Sequence, residues 1–218
     1  MTTSGTTDFV LTVRDICHDA LQENAIIPLG EEMEAEELSS VIRRLNGMLK
    51  SWQMKGLSWK HETISATVTA DTATVTLPGY VRGVNGCRFL DSPNNEREMV
   101  RWERDEYFRL PNKAASGKST AFYLNRAEDG LVLYVWPVPL SDSTLKVDID
   151  RKVDTVTSAN ETLDVPEELM ETIYANLALR CCGLFGIDPK PELAMRAQAL
   201  ETEMLDNYRP ASYFLGPM

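Results

Sequence analysis

The chain reads as an α+β protein: an antiparallel helical bundle formed by N- and C-terminal helix pairs, with an inserted antiparallel β-rich region. Two observations predict it. Apolar residues recur at helical spacing up to residue 58 and again from 164, while between those points they alternate with polar ones. With 218 residues, 43% of them apolar, the chain can bury one core, or a core plus an inserted domain, without disulfide or metal staples. The expected division is 7–58 with 164–208 for the bundle, 59–163 for the insertion and 209–218 for a C-terminal tail. Neither helix pair carries enough apolar surface to stand alone, so the economical arrangement packs the two pairs against each other.

The first helix is expected from the stripe Val10, Val13, Ile16, Cys17, Ala20 and Leu21, with Thr7 or Asp8 as N-cap. A connector containing Pro28 leads to Glu31, Glu32, Glu34, Glu36 and Glu37. These carboxylates precede a second helix striped by Leu38, Val41, Ile42, Leu45, Met48, Leu49 and Trp52, which Gly56 stops. Acid at its start and Arg43, Arg44, Lys50 and Lys55 later follow the helix dipole, so no ligand is needed to explain the cluster.

Strands are expected at 63–69 and 72–77, at 84–90, at 120–125 and at 131–136, and finally around Leu145, Val147 and Ile149. The 131–136 run is apolar on both faces and reads as a central strand stopped by Pro137 and Pro139. Residues 97–111 read as a short helix or an irregular crossing, and 112–120 as a mobile loop. Asp164 and Glu167 stand in a capping-box relation before the stripe Leu169, Met170, Ile173, Tyr174, Leu177, Cys181, Leu184 and Phe185, ended by Gly186 and Pro189. A final helix carries Leu193, Ala197, Leu200, Met204 and Tyr208, and the apolar Tyr213, Phe214 and Leu215 follow it as a candidate subunit-binding segment.

The charge balance excludes one class of function. With 33 acidic against 22 basic side chains, a net charge of −11, the chain lacks the cations that coat nucleic acid. An acidic wall along which DNA slides without sticking would carry the same sign. No apolar run approaches the roughly 20 residues of a membrane span, and no basic-then-apolar leader is visible. Cys17, Cys87, Cys181 and Cys182 match neither a disulfide framework nor a metal knuckle, and read as small core residues in a reducing compartment.

Catalytic constellations are equally sparse. His18 and His61 are the only histidines. His18 reads as a solvated helix residue that cannot share a proton with its neighbour Cys17, and His61 has no cysteine or second histidine near it. Gly117-Lys118-Ser119 resembles the end of a P-loop, but Asn112 stands where the first glycine belongs. Asp148 and Asp150 share a strand face, a pattern that a polar outer face supplies routinely. Trp52, Trp59, Trp102, Tyr107, Phe108, Tyr134 and Trp136 read mostly as core.

One stretch is more specific. Leu45-Asn46-Gly47-Met48-Leu49-Lys50-Ser51-Trp52, with Gly56-Leu57 after it, resembles the L-N-x-M-L-x-S-W motif of phage head-to-tail adaptors, the tail accessory factors of short-tailed phages. Residues 24–31, Phe122-Tyr123, 131–139, Leu177-Ala178 and Phe185-Gly186 follow that family in order, so that the likeness spans roughly 8–208. The resemblance implies a structural neck protein rather than an enzyme, without cofactor or metal. It would form a ring, usually of twelve copies, below the portal protein, made in the host cytoplasm and resident in the virion. Such a ring extends the DNA channel, retains packaged DNA without reading its sequence, and offers a platform to a tail hub or nozzle, a needle or fibres. Leu45, Asn46, Met48, Leu49, Ser51 and Trp52 are then family-motif residues, and Tyr208, Arg209, Tyr213, Phe214 and Leu215 candidate portal or subunit contacts. The alternatives are a cell-wall glycan hydrolase using two carboxylates and a different tail-completion module.

Overall fold

The computed structural model describes residues 11–23, 25–92, 95–128 and 130–208. It is mixed α+β, with five α-helices and two four-stranded sheets among those residues. The chain divides into two compact units, one of residues 1–59 with 153–218 and one of 60–152.

The first unit is helical. Helix α1 (Val13–Glu23) starts where Thr12 and Asp15 cap each other: the Thr12 amide and hydroxyl donate to the Asp15 carboxylate at 3.0 and 2.5 Å, and the Asp15 amide donates back to the Thr12 hydroxyl at 3.3 Å. Thr12 thus performs the capping expected of Thr7 or Asp8, which lie outside the described residues. Helix α2 (Ala35–Met54) follows an extended Glu34 whose capping box with Glu37 uses two of the five acidic residues, and Gly56 at φ +103° ends the turn after it. No α-helix starts directly after Asp164, where the capping box is expected. Pro166 instead begins a 3₁₀ turn, Glu167–Leu169, that runs into α4 (Met170–Phe185), while the Asp164 carbonyl accepts the Trp59 indole N–H at 3.2 Å. Gly186 at φ +65° closes α4, and α5 (Pro191–Tyr208) completes the unit.

Buried side chains of all four helices, among them Ile16, Leu45, Trp52, Ile173, Leu177 and Met204, form one hydrophobic cluster that also takes in Val153 and Val156. Residues 153–163, which the alternation assigns to the insertion, therefore group with the helices. Helix α4 is buried well beyond its expected stripe. Ala175, Ala178 and Cys182 are covered too, the two alanines letting Leu193 and Ala197 of α5 come close. The buried Asn176 amide then donates to the carbonyls of Thr172 and Ala197.

The second unit holds the sheets. β1 (His61–Val68), β8 (Ser143–Arg151), β3 (Val81–Ser92) and β4 (Asn95–Glu98) lie in that order, all antiparallel. The other sheet runs β2 (Thr74–Thr76), β7 (Gly130–Trp136), β6 (Ala121–Ala127) and β5 (Val100–Trp102), where β5 is parallel to β6. The expected strands at 63–69 and 72–77 therefore join different sheets. The 131–136 run is central, as its two apolar faces require. Residues 97–111 supply two short strands and the five-residue α3 (Arg104–Phe108). One cluster joins the inner faces, with Val68, Phe89, Leu145 and Val147 on one side and Phe122, Leu133 and Val135 on the other.

Candidate functional site

The octet on α2 is a packing device whose parts divide cleanly. Leu45, Met48, Leu49 and Trp52 recur at three and four residues and are fully buried. The polar members turn toward the returning chain. Asn46 holds both backbone groups of Val156, donating through Nδ2 to its carbonyl and accepting its amide at Oδ1, each at 2.9 Å. Lys50 donates to the Val153 carbonyl. The Ser51 hydroxyl donates to the Met48 carbonyl at 2.7 Å and accepts from Arg180 of α4 at 3.2 Å. A side-chain amide at Asn46 is what such two-way recognition of one residue's backbone needs, since a carboxylate could not donate and an ammonium could not accept.

Tyr208 ends α5 half-buried against the same cluster, and its carbonyl accepts the Ser58 amide at 3.4 Å. Burial and the nearby Glu168 push its phenol upward. A groove of about 240 Å³ beside it is lined by Glu168, Glu171 and Glu203 as well as Leu200 and Met204, so this end of the unit presents an acidic surface. Arg209, Tyr213, Phe214 and Leu215 lie outside the described residues. Exposed apolar side chains in the helical unit are Leu29, Met54 and Met195, and in the sheet unit Val100, Phe108 and Leu140.

His18 differs from expectation. His18 is not simply solvated. Its Nε2 lies 2.9 Å from the Glu31 carbonyl oxygen, which can only accept, so that nitrogen carries the proton and ties the 25–34 connector to α1. His61 stands opposite Asp150 in the β1–β8 register, with Nδ1 2.8 Å from Oδ1. Asn85 donates to the same oxygen at 2.9 Å from β3, where it sits in the register slip between Val84 and Gly86. Asp150 is therefore a buried, doubly held carboxylate, although it shares its face with Asp148 and Lys146. Sequence spacing missed this cluster because its members come from three strands. Gly83 lies beside the cluster, with the Asp150 carboxylate at ordinary contact distance, 3.7 Å, from where a Cβ would sit.

The P-loop-like residues are spent on internal bonds. Lys118 pairs with Asp91, the buried Ser119 hydroxyl donates to the Pro137 carbonyl at 2.7 Å, and the Gly117 amide donates to Val138 at 2.8 Å. The same bonds stitch the 112–120 loop to residues 136–138. All four cysteines are reduced and buried. Burial pushes the thiols of Cys17 and Cys87 up to about 12 and that of Cys181 to about 11, the behaviour of core residues. Among the described residues no group of three or more His, Cys, Asp or Glu could hold a metal ion, and no helix is long and apolar enough to cross a membrane.

Aromatic rings gather at one place. Tyr107 stacks on Tyr123, both meet Tyr134 at a tilt, with centroids 5.3 to 5.8 Å apart, and Phe108 meets Tyr107 edge-on. Lys113 lies 5.8 Å above Tyr107, and Arg104 5.2 Å above Phe108. These groups line a hollow of about 410 Å³ with no carboxylate in its wall.

No curated protein matches the chain. Among solved structures it is similar to a chain in the neck of an empty GTA (gene transfer agent) particle, at 17% identity and a TM-score of 0.32, covering 89% of this chain and 88% of that one. Residues 12–213 match the family described as SU10 adaptor protein, a span that takes in the whole octet and nearly all of both units. The likeness to head-to-tail adaptors carried by Leu45, Asn46, Met48, Leu49, Ser51 and Trp52 is thereby borne out: the chain belongs to the SU10 adaptor protein family.

Proposed function

We propose that this protein is the head-to-tail adaptor in the neck of a phage particle, a structural component that assembles as a ring beneath the portal. The observation that carries the reading is the family match over 12–213. In this reading the helices of the first unit form an antiparallel bundle whose copies stand side by side around the channel. The end of α5, with Tyr208, Arg209, Tyr213, Phe214 and Leu215, meets the portal, and the sheet unit faces the hub, needle or fibres of the tail. The net charge of −11 suits a channel wall that DNA passes without adhering.

Negative-stain electron microscopy of the full chain, alone and mixed with the portal ring of its particle, tests the assignment. A ring added beneath the portal is the expected result, with about twelve copies around the axis. A competent portal that gains no density would overturn it. Deleting 209–218 separates the parts of the proposal, since portal binding unchanged by the truncation removes that segment from the docking surface.

A further inference from the structure

We propose that successive copies of this chain join edge to edge, β1 of one copy pairing antiparallel with β4 of the next, so that the β1-β8-β3-β4 sheet continues across the subunit boundary. The inference rests on the ring reading and names the contact that closes it.

The two edges match in a way the backbone decides. The Arg151 amide donates to the Lys60 carbonyl at 2.9 Å, one step before the His61–Asp150 pair of the β1–β8 register. Bonded and unbonded pairs alternate in an antiparallel ladder, so Glu62, Ile64, Ala66 and Val68 turn their backbone groups to β8. Those of His61, Thr63, Ser65 and Thr67 point off the sheet. At the other edge the Met99 amide donates to the Cys87 carbonyl at 2.9 Å, in step with the Arg88–Glu98 pair. By the same alternation Glu96 and Glu98 turn their backbone groups outward.

Both outward sets carry their side chains on one face. Ile64, Ala66 and Val68 join the core, leaving Thr63, Ser65 and Thr67 exposed beside Lys146, which donates to Ser65 at 2.9 Å. Lys146 stands opposite Arg88, which pairs with Glu96 at 2.7 Å, so Glu96 and Glu98 share that exposed face. Opposed residues of an antiparallel pair lie on the same face. Joining β1 to β4 therefore keeps the core side of the sheet continuous, whereas a mismatch would have turned one copy over. The even number of strands makes the joined edges antiparallel.

Composition points the same way. Strand β1 is eight residues long with unbroken register, and residues 63–68 contain no charge and no proline, the usual protections of an exposed edge. Its hydroxyls at Thr63, Ser65 and Thr67 are donors that the Glu96 and Glu98 carboxylates can accept. An uncharged strand is also the partner that two like charges on β4 tolerate. Two bonded pairs would supply on the order of four backbone hydrogen bonds. Because the surfaces differ, the contact is head-to-tail and generates a ring rather than a closed pair.

Disulfide capture in the full chain, assembled on the portal ring of its particle, tests the contact. Thr63→Cys, Ser65→Cys or Thr67→Cys is combined with Glu96→Cys or Glu98→Cys, since directly opposed Cα atoms of such a pair lie about 5.5 Å apart, within disulfide reach. The native cysteines are buried and do not compete. Oxidation is expected to give a ladder of dimers and larger species on a non-reducing gel for the pairs of one register, while Thr76→Cys on the other sheet with Glu96→Cys stays monomeric. A ring visible by microscopy with no ladder from any pair overturns the edge contact and leaves the adaptor reading standing; the absence of a ring removes both. As a second variant, Ser65→Pro removes an amide that does not bond to β8. It is expected to retain the circular dichroism of the parent and to lower ring occupancy on the portal at least tenfold, and undiminished occupancy would overturn the proposal.

Discussion

The helical unit draws its core from both ends of the sequence, whereas the sheet unit draws its core from the unbroken stretch 60–152. Asn46 meets Val156 across 110 positions, and Trp52 shares a cluster with Ile173 and Leu177. Every strand partner in the other unit lies within residues 61–151. Closing a long loop before contacts reward it costs entropy, and the cost falls on the helices alone. The octet is placed where it offsets that cost. Its apolar residues need the second helix pair, and Asn46 and Lys50 hold the chain as it returns.

The sharpest way to break this comparison is to cut the chain. A fragment of residues 60–152 should keep a β-type circular dichroism spectrum and melt cooperatively, whereas residues 1–59 alone should show little helix. A folded 1–59 fragment would mean that the first helix pair is self-sufficient. Next in size, Trp52→Ala should cost about 3–5 kcal/mol in denaturant unfolding followed at 222 nm. Trp52→Phe should cost clearly less, because the buried indole N–H has no hydrogen-bond partner among the described residues to lose.

A matched pair then sharpens the contrast. Asn46→Ala strands the Val156 amide and carbonyl, and Asp150→Ala strands His61 and Asn85, so each should cost about 1–3 kcal/mol. The first should act on the helical signal and the second on the isolated 60–152 fragment. Equal effects of Asp150→Ala on both would contradict the division into units.

Smaller effects belong to the cap of α1. Thr12→Ala should cost about 1 kcal/mol. The Thr12 hydroxyl and amide hold the Asp15 carboxyl below its ordinary value of 3.8. Its contribution is thus present above that value and lost as pH falls through the lowered folded one. In Thr12→Ala this part of the acid dependence should shrink. At the alkaline end the sign reverses. The thiols of Cys17 and Cys87 are raised from 9.0 to about 12, so their burial destabilises the fold progressively as pH rises through that interval. Thiol reagents at pH 8 should leave both unmodified until the chain unfolds.

Much of the fold was legible because periodicity is a local property. The stripe of α2, the central strand at 131–136 and the glycine stop at Gly186 each follow from residues within a turn or a strand of one another. The family, too, was legible: the likeness read at Leu45, Asn46, Met48, Leu49, Ser51 and Trp52 agrees with the family match over 12–213. What failed was of another kind. Glu167 and Asp164 have the spacing of a cap, yet the helix begins later, where Pro166 presets the turn. Thr172 and Asn176 look like the open face of α4 and are buried, Asn176 donating to the Ala197 carbonyl of α5.

The sequence by itself determined where most helices and strands occur, the acidic balance and the likeness to the family, since all three depend on neighbours along the chain. Only the tertiary structure decided that Asp150 is held by His61 and Asn85, that β1 and β2 part into separate sheets, and that Asn46 reads the backbone of Val156. Those contacts join segments distant in sequence. Their cost is set by loop closure and their benefit by burial, and neither is written in the spacing of adjacent residues.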